Sequence, residues 1–161
     1  MQIHATCCAR DAVPEPLGVL LLGPPGSGKS DLALRLVAAG YALVADDRVD
    51  IALGPDGLAA SAPAALAGLI EVRGIGIIRL GRTLARARLA LAVALAPRDR
   101  QERLPEPAVT TLAGNTLPTV MIDPEAASAV ARVGLALDIL AGHAACQAGA
   151  LARSAAEAGA R

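Results

Sequence analysis

The chain has no phenylalanine, no tryptophan and a single tyrosine, so its core has to be built from Leu, Val, Ile and Ala. Small aliphatic side chains bring packed elements close together while each contributes little burial on its own. Cysteine is scarce too. The three thiols, Cys7, Cys8 and Cys146, show neither zinc-ligand spacing nor a disulfide framework, which implies a reducing, cytoplasmic setting. Adjacent Cys7 and Cys8 read as small strand residues rather than a redox pair. Charge of one sign is missing: 15 basic and 15 acidic residues leave a formal net charge of zero, which supports neither a nucleic-acid nor a membrane-surface partner. The arginines at 79, 82, 86 and 88 read as a solvated face. No signal peptide is visible, and no apolar run approaches the roughly 18 residues that a membrane span needs. A length of 161 residues suits one domain, 1–161.

Lysine is the most informative scarcity. Of the 15 basic residues, 14 are arginine and Lys29 alone is lysine. It lies in LGVLLLGPPGSGKS, Leu17 to Ser30, where an apolar run that reads as a buried parallel strand meets a glycine-rich turn. Gly23, Gly28, Lys29 and Ser30 satisfy the spacing G-x-x-x-x-G-K-[ST], with Pro24, Pro25, Gly26 and Ser27 between them. In such a loop the glycines let backbone N–H groups turn toward phosphate oxygens. The following helix adds its positive end, the lysine supplies a compact charge, and the Ser30 hydroxyl can ligate Mg²⁺. A phosphate pocket can require an ammonium where a surface accepts a guanidinium. The helix from Asp31 to Ala39 closes at Gly40 as the C′ residue.

Around this centre, Ile3 to Ala9 reads as an opening strand carrying His4, and DAVPEP (11–16) as a polar turn. Tyr41 to Ala45 reads as a buried strand ending in Asp46 and Asp47, at the carboxyl end where open α/β sheets bind ligands. Two consecutive side chains on an extended chain point to opposite faces, so the two aspartates are expected to hold different roles. Residues 51–60 read as a hairpin centred on Gly54 to Gly57. The stretch Leu69 to Ile78 sets Glu71 and Arg73 among apolar residues, where an unpaired buried charge costs several kcal/mol. Leu89 to Ala96 is a further strand leading into a charged, proline-bearing loop, 97–107, that reads as a flap. Leu117 to Ile122 is a late strand. A helix is predicted from Pro124 to about Ala141 with Asp123 as N-cap and Gly142 ending it. The Ala-rich segment 143–161 is open between a frayed and a docking helix.

The segments GPPGSGKSDLALRL, LVADDRVDI and LIEVRGIGII, in this order, resemble the HPr kinase/phosphorylases, bacterial enzymes acting on a serine of the phosphocarrier protein HPr. The chain looks like the short form consisting of the kinase domain only. The resemblance implies an α/β phosphate-loop kinase domain, a mixed β-sheet flanked by helices, closer to phosphoenolpyruvate carboxykinase than to adenylate kinase. It implies ATP bound by Gly23 to Ser30, with Mg²⁺ on Ser30 and Glu71. The acid/base carboxylate falls on Asp47 beside Asp46, the upstream histidine on His4, and a loop arginine on Arg103. Glu71, Val72, Arg73, Gly74, Ile75 and Gly76 begin the family signature. By the same resemblance the partner is HPr, the assembly a homohexamer, and the reverse reaction uses inorganic phosphate and yields pyrophosphate. No Arg or Lys lies between Arg103 and Arg132, where longer members carry a basic segment tied to that reverse reaction, so phosphorolysis is expected to run poorly here. Two alternatives stay open: a small-molecule kinase with an ordinary phosphate loop, and a nucleotide-binding regulator without catalysis.

Overall fold

A computed structural model describes residues 1–152. The axis of the fold is β9 (Arg86–Leu95), a ten-residue strand with two different partners on one edge. Its other edge pairs in parallel with β3 (Leu17–Leu22). On the forked edge, Arg86 to Arg88 pair antiparallel with β6 (Gly57–Ser61), and Ala92 to Leu95 pair in parallel with β11 (Asn115–Ile122). Beyond β3 lie β2 (Thr6–Arg10) and then β4 (Ala42–Ala45), both antiparallel to their neighbours. Beyond β6 lie β5 (Arg48–Gly54) and then β1 (Gln2–His4).

The chain runs directly from β1 into β2 and from β4 into β5, and β1 pairs with β5 while β2 pairs with β4. The two ends of the strand order are therefore joined covalently, and the sheet curls on itself. The inside of the curl is lined by alanines and short aliphatics, among them Ala5, Cys7, Ala9, Leu20, Val49, Ala60, Ala87 and Ala92. Leu58, Leu89, Leu112 and Leu117 complete this interior, which holds no aromatic side chain, in keeping with their scarcity in the sequence. Gly18 serves close strand approach: a Cβ there would lie 2.8 Å from the Arg88 carbonyl oxygen of the paired strand.

Helices α1 (Lys29–Ala38) and α2 (Ala129–Leu140) both cover the outer face, packing Leu32, Leu36, Val133 and Leu137 against Val19, Leu21, Leu91 and Val93. The flanking helices thus occupy one side only, and the curl itself covers the other. Both helices end as their glycines predict. Gly40 and Gly142 take φ of 100° and 81°, and Tyr41 and His143 donate back to the Leu36 and Asp138 carbonyls, the Schellman pattern. The adjacent thiols point to opposite faces of β2, and burial raises both, Cys8 to about 12, so neither is a ready nucleophile.

Three expectations need correction. The opening strand is broken at Ala5, because its two halves pair with different strands. The second helix begins at Ala129 with Ser128 as its N-cap, not at Pro124. The Pro124 carbonyl accepts from the Arg35 guanidinium of α1, Asp123 caps a local turn through the Glu125 N–H at 2.9 Å, and residues 123–129 make tight three-residue bonds, Ala126 to Asp123 and Ala129 to Ala126, before the helical ladder starts at the Ser128 carbonyl. In the 143–161 segment, residues 143–152 form turns rather than a helix, and 153–161 lie outside the described residues. A strand was also missed: β10 (Ala108–Leu112) pairs with β11 through a tight turn at Ala113 and Gly114, a pattern that AVTTLAGN carries in its β-branched residues and glycine. Among the described residues no helix is long and apolar enough to cross a membrane.

Leu91 lies fully buried at the centre of β9, in the core cluster beneath α2. Leu91→Ala is expected to lower the unfolding free energy by about 2–5 kcal/mol, read by urea denaturation; a loss under about 1 kcal/mol would contradict the placement of the core.

Candidate active site

The carboxyl end of β3 opens into the glycine loop, Gly23 to Ser30, and α1 rises from it with Gly28 as N-cap at φ 91°. Gly26 also has positive φ, 78°, which places two residues of the loop in a conformation that favours glycine. Gly23 is required for space, because a Cβ there would come within 2.5 Å of the Ser27 hydroxyl. Lys29 folds back over the loop and donates to the Gly23 and Pro24 carbonyls at 2.8 and 2.9 Å.

Behind the loop, Asp46 ends β4 and is only 5% exposed. Its Oδ1 accepts hydrogen bonds from the Thr6 hydroxyl at 2.7 Å and the Ser30 hydroxyl at 2.8 Å, and its Oδ2 accepts the Glu71 N–H at 3.3 Å. A buried carboxylate is tolerated only when its lone pairs are satisfied, and three donors from three elements do so. The third donor belongs to the hairpin of β7 (Leu69–Val72) and β8 (Gly76–Arg79), so Asp46 also fixes the signature segment beside the loop. That hairpin turns at Arg73, Gly74 (φ 81°) and Ile75, leaving Glu71 and Arg73 exposed rather than buried without partners.

Asp47 turns the other way. It has φ 65°, and the Arg48 N–H closes a three-residue turn onto the Asp46 carbonyl at 2.8 Å. This is the rare, strained form of γ-turn, and it swings the Asp47 side chain out to solvent. There His4 Nδ1 lies 3.1 Å from Asp47 Oδ1 and 3.0 Å from the Asp47 carbonyl oxygen. Both neighbours are acceptors, so Nδ1 carries the proton. Arg48 Nε stands 3.9 Å from the other Asp47 oxygen. The structure thus gathers the loop, Lys29, Ser30, Asp46, Asp47, His4 and Glu71. Arg103 is not brought in: it is exposed on the segment before β10 and makes no ion pair among the described residues.

The site fits a phosphate group and a hard divalent cation. The Ser27 hydroxyl is buried in the loop with no hydrogen-bond partner, an orphan that a phosphate oxygen would satisfy. Ser30 spends its proton on Asp46 and keeps its lone pairs for a cation. A cavity of about 860 Å³ opens at the opposite end of β3, near Leu17, Arg88 and His143. Its arginines are already paired, Arg10 with Asp138 of the same cavity wall and Arg88 with Glu15, so the chemistry-bearing groups converge at the loop instead. Ser27 belongs to the loop expected to bind the nucleotide, whereas Thr6 does not stand out in the sequence. Nothing local marks a threonine in a run of small strand residues as the partner of an aspartate 40 positions away.

Burial holds the Lys29 ammonium below its ordinary value of 10.5, against the opposing pull of the Asp46 and Asp47 carboxylates. With its pKa depressed in the folded state, Lys29 binds fewer protons there than in the unfolded chain at alkaline pH below 10.5, so its contribution to stability rises with pH across that window. A bound polyanion reverses the shift. ADP is therefore expected to bind with proton uptake in that window and to bind more weakly as pH rises through it. Calorimetry in buffers of different ionisation enthalpy checks this, and no uptake, or tighter binding at higher pH, would contradict it.

A family model described as the HPr Serine kinase C-terminal domain matches residues 13–132. The HPr kinase/phosphorylase of Cupriavidus metallidurans is 44% identical over 98 residues, which cover 55% of this chain and 30% of that protein. That of Burkholderia cenocepacia is 45% identical over 80 residues, 47% of this chain and 25% of the relative. The solved structure of the Hpr(Ser) kinase/phosphatase from Coxiella burnetii superposes with a TM-score of 0.71 at 25% identity, covering 89% of each chain. Alignment to these curated relatives spans less than a third of their length. His4 and Thr6 fall outside the span of the family match, so their placement rests on the geometry alone. The fold, the loop and the extent of the match together assign the chain to the family of HPr serine kinase C-terminal domains.

Proposed function

We propose that this chain is an ATP-dependent serine kinase that phosphorylates an HPr-type phosphocarrier protein. The observation that carries the reading is the division of labour between adjacent aspartates. One is buried and bonded to the loop serine, and the other is exposed and paired with a histidine on the same side of the sheet. Phosphoryl transfer needs little covalent chemistry from the protein and consists mainly of positioning and charge stabilisation.

The geometry supports the following roles. Gly23 to Ser30 cradle the nucleotide phosphates, with Ser27 supplying a hydroxyl that has no other partner. Lys29 leaves the loop carbonyls to meet the outer phosphates, which add their charge to that of the nearby Asp46 and Asp47 carboxylates. Ser30 and Glu71 hold Mg²⁺, which when bound neutralises charge on the phosphates. Asp46 touches no substrate in this scheme and orients Ser30 and the backbone of Glu71. Asp47 accepts the proton of the acceptor serine as its oxygen attacks, and His4 Nδ1–H holds the carboxylate in place. Arg103 reaches the transferred group only if its segment swings toward the loop. A large, solvent-open acceptor side suits a protein substrate. Ile75 and Ile77 of the signature hairpin stand 74% and 73% exposed beside Glu71.

In the reverse direction inorganic phosphate would attack the phosphoserine, giving pyrophosphate, while Asp47 returns the proton to serine. The absence of basic residues between Arg103 and Arg132 makes this the weaker direction. The family reading also carries a cytoplasmic location and a homohexamer.

Asp47→Asn tests the reading, since it removes the base and leaves the loop intact. Transfer to HPr is expected to fall at least about a hundredfold, the scale of general-base catalysis, while nucleotide affinity stays within about twofold. Unchanged transfer would sink the kinase assignment to this site. A nucleotide-regulated output that survives the substitution would instead mark a sensor.

A further inference from the structure

Three charged or polar side chains are buried in the described core: Lys29, Asp46 and Thr6. The proposed chemistry uses the first two and leaves Thr6. Valine has the same shape and would fill this place between Ala5 and Cys7 without burying a hydroxyl, yet the hydroxyl is there, fully buried, and donates to Asp46 at 2.7 Å. The oxygen that receives it is the one that takes the Ser30 proton.

The backbone explains the convergence. β1 and β2 run antiparallel to β5 and β4, and the ladder breaks on both sides at the same level, at Ala5 and at the Asp46–Asp47 turn. On an extended chain, residues two apart face the same way. His4 and Thr6 therefore address consecutive aspartates across the break, His4 the exposed one and Thr6 the buried one.

We propose that Thr6 is a positioning residue for the divalent-cation site, acting through Asp46. With Thr6 in place, Asp46 Oδ1 has a fixed direction and accepts the Ser30 proton from one side, so the Ser30 lone pairs face away from it, toward the cation. Without the Thr6 hydroxyl the carboxylate can rotate, and Ser30 is free to turn its proton toward the loop and offer the cation a poorer ligand. Loss of such an outer partner of a metal ligand typically costs about 10–100-fold in metal affinity. This inference rests on the functional reading above, because it takes Ser30 to be a cation ligand.

The test measures binding rather than turnover. Calorimetry with a non-hydrolysable ATP analogue, in Mg²⁺ and in EDTA, gives the gain in affinity that the cation confers. Thr6→Val is expected to lose about tenfold or more of that gain while binding in EDTA stays within about twofold, and Thr6→Ser is expected to retain the gain. If the valine variant does not fold, Thr6→Ala and Thr6→Ser serve equally, because both lack the methyl group and differ only in the hydroxyl. The role is overturned if the valine or alanine variant keeps the full Mg²⁺ gain, if it loses affinity equally in EDTA, or if the serine variant is as impaired. Wild-type protein that gains nothing from Mg²⁺ would overturn the cation site itself, and Thr6's role with it; wild-type gain with an indifferent Thr6 overturns the Thr6 role alone.

Discussion

The Asp46 carboxylate is taken out of water at a place where the strands, the glycine loop and the signature hairpin come within hydrogen-bonding reach of each other. Leaving such a group unpaired costs several kcal/mol, so the fold is stable only in arrangements that deliver donors to it. It receives the Thr6 hydroxyl from β2, the Ser30 hydroxyl from the start of α1 and the Glu71 N–H from β7. The requirement to satisfy one buried charge thereby adds a polar tie among three segments that also pack against one another. Those segments carry the residues that a phosphoryl-transfer site needs.

The curl of the sheet serves the same end. Because β1 runs into β2 and β4 into β5, the sheet curls on itself and two chain breaks lie side by side. A strained turn at Asp47 lets adjacent carboxylates face opposite environments. Backbone strain of this kind persists only where surrounding structure over-determines it. Here the His4 ring and the ladder on either side supply that constraint. The interior of the curl is built from alanine, cysteine and branched aliphatics, in keeping with the near absence of aromatics in the sequence.

Much of this was legible in the sequence because it is local. The loop spacing, the strand before it, the helix after it with Gly40 at its end, and the hairpin at Gly54 to Gly57 are short-range patterns, and each formed where it was expected. What could not be read depends on partners distant in the chain. The break at Ala5 exists because each half of the first strand finds a different neighbour. The late start of α2 goes with a turn-forming segment, 123–128, whose Pro124 carbonyl meets Arg35 of α1, 89 positions away. Thr6 belongs to this class as well, being inconspicuous until Asp46 is placed against it. The lone lysine was the exception, a global feature of composition that pointed to a single site.

The central claim is that these groups transfer a phosphoryl group to another protein. Its most direct measurement is incubation of the protein with purified HPr, Mg²⁺ and ATP labelled in the γ-phosphate, followed by mapping of the label. The account predicts label on one HPr serine, formed only when the cation is present. Label recovered solely as inorganic phosphate, or only on a small molecule with HPr left unmodified, would contradict it.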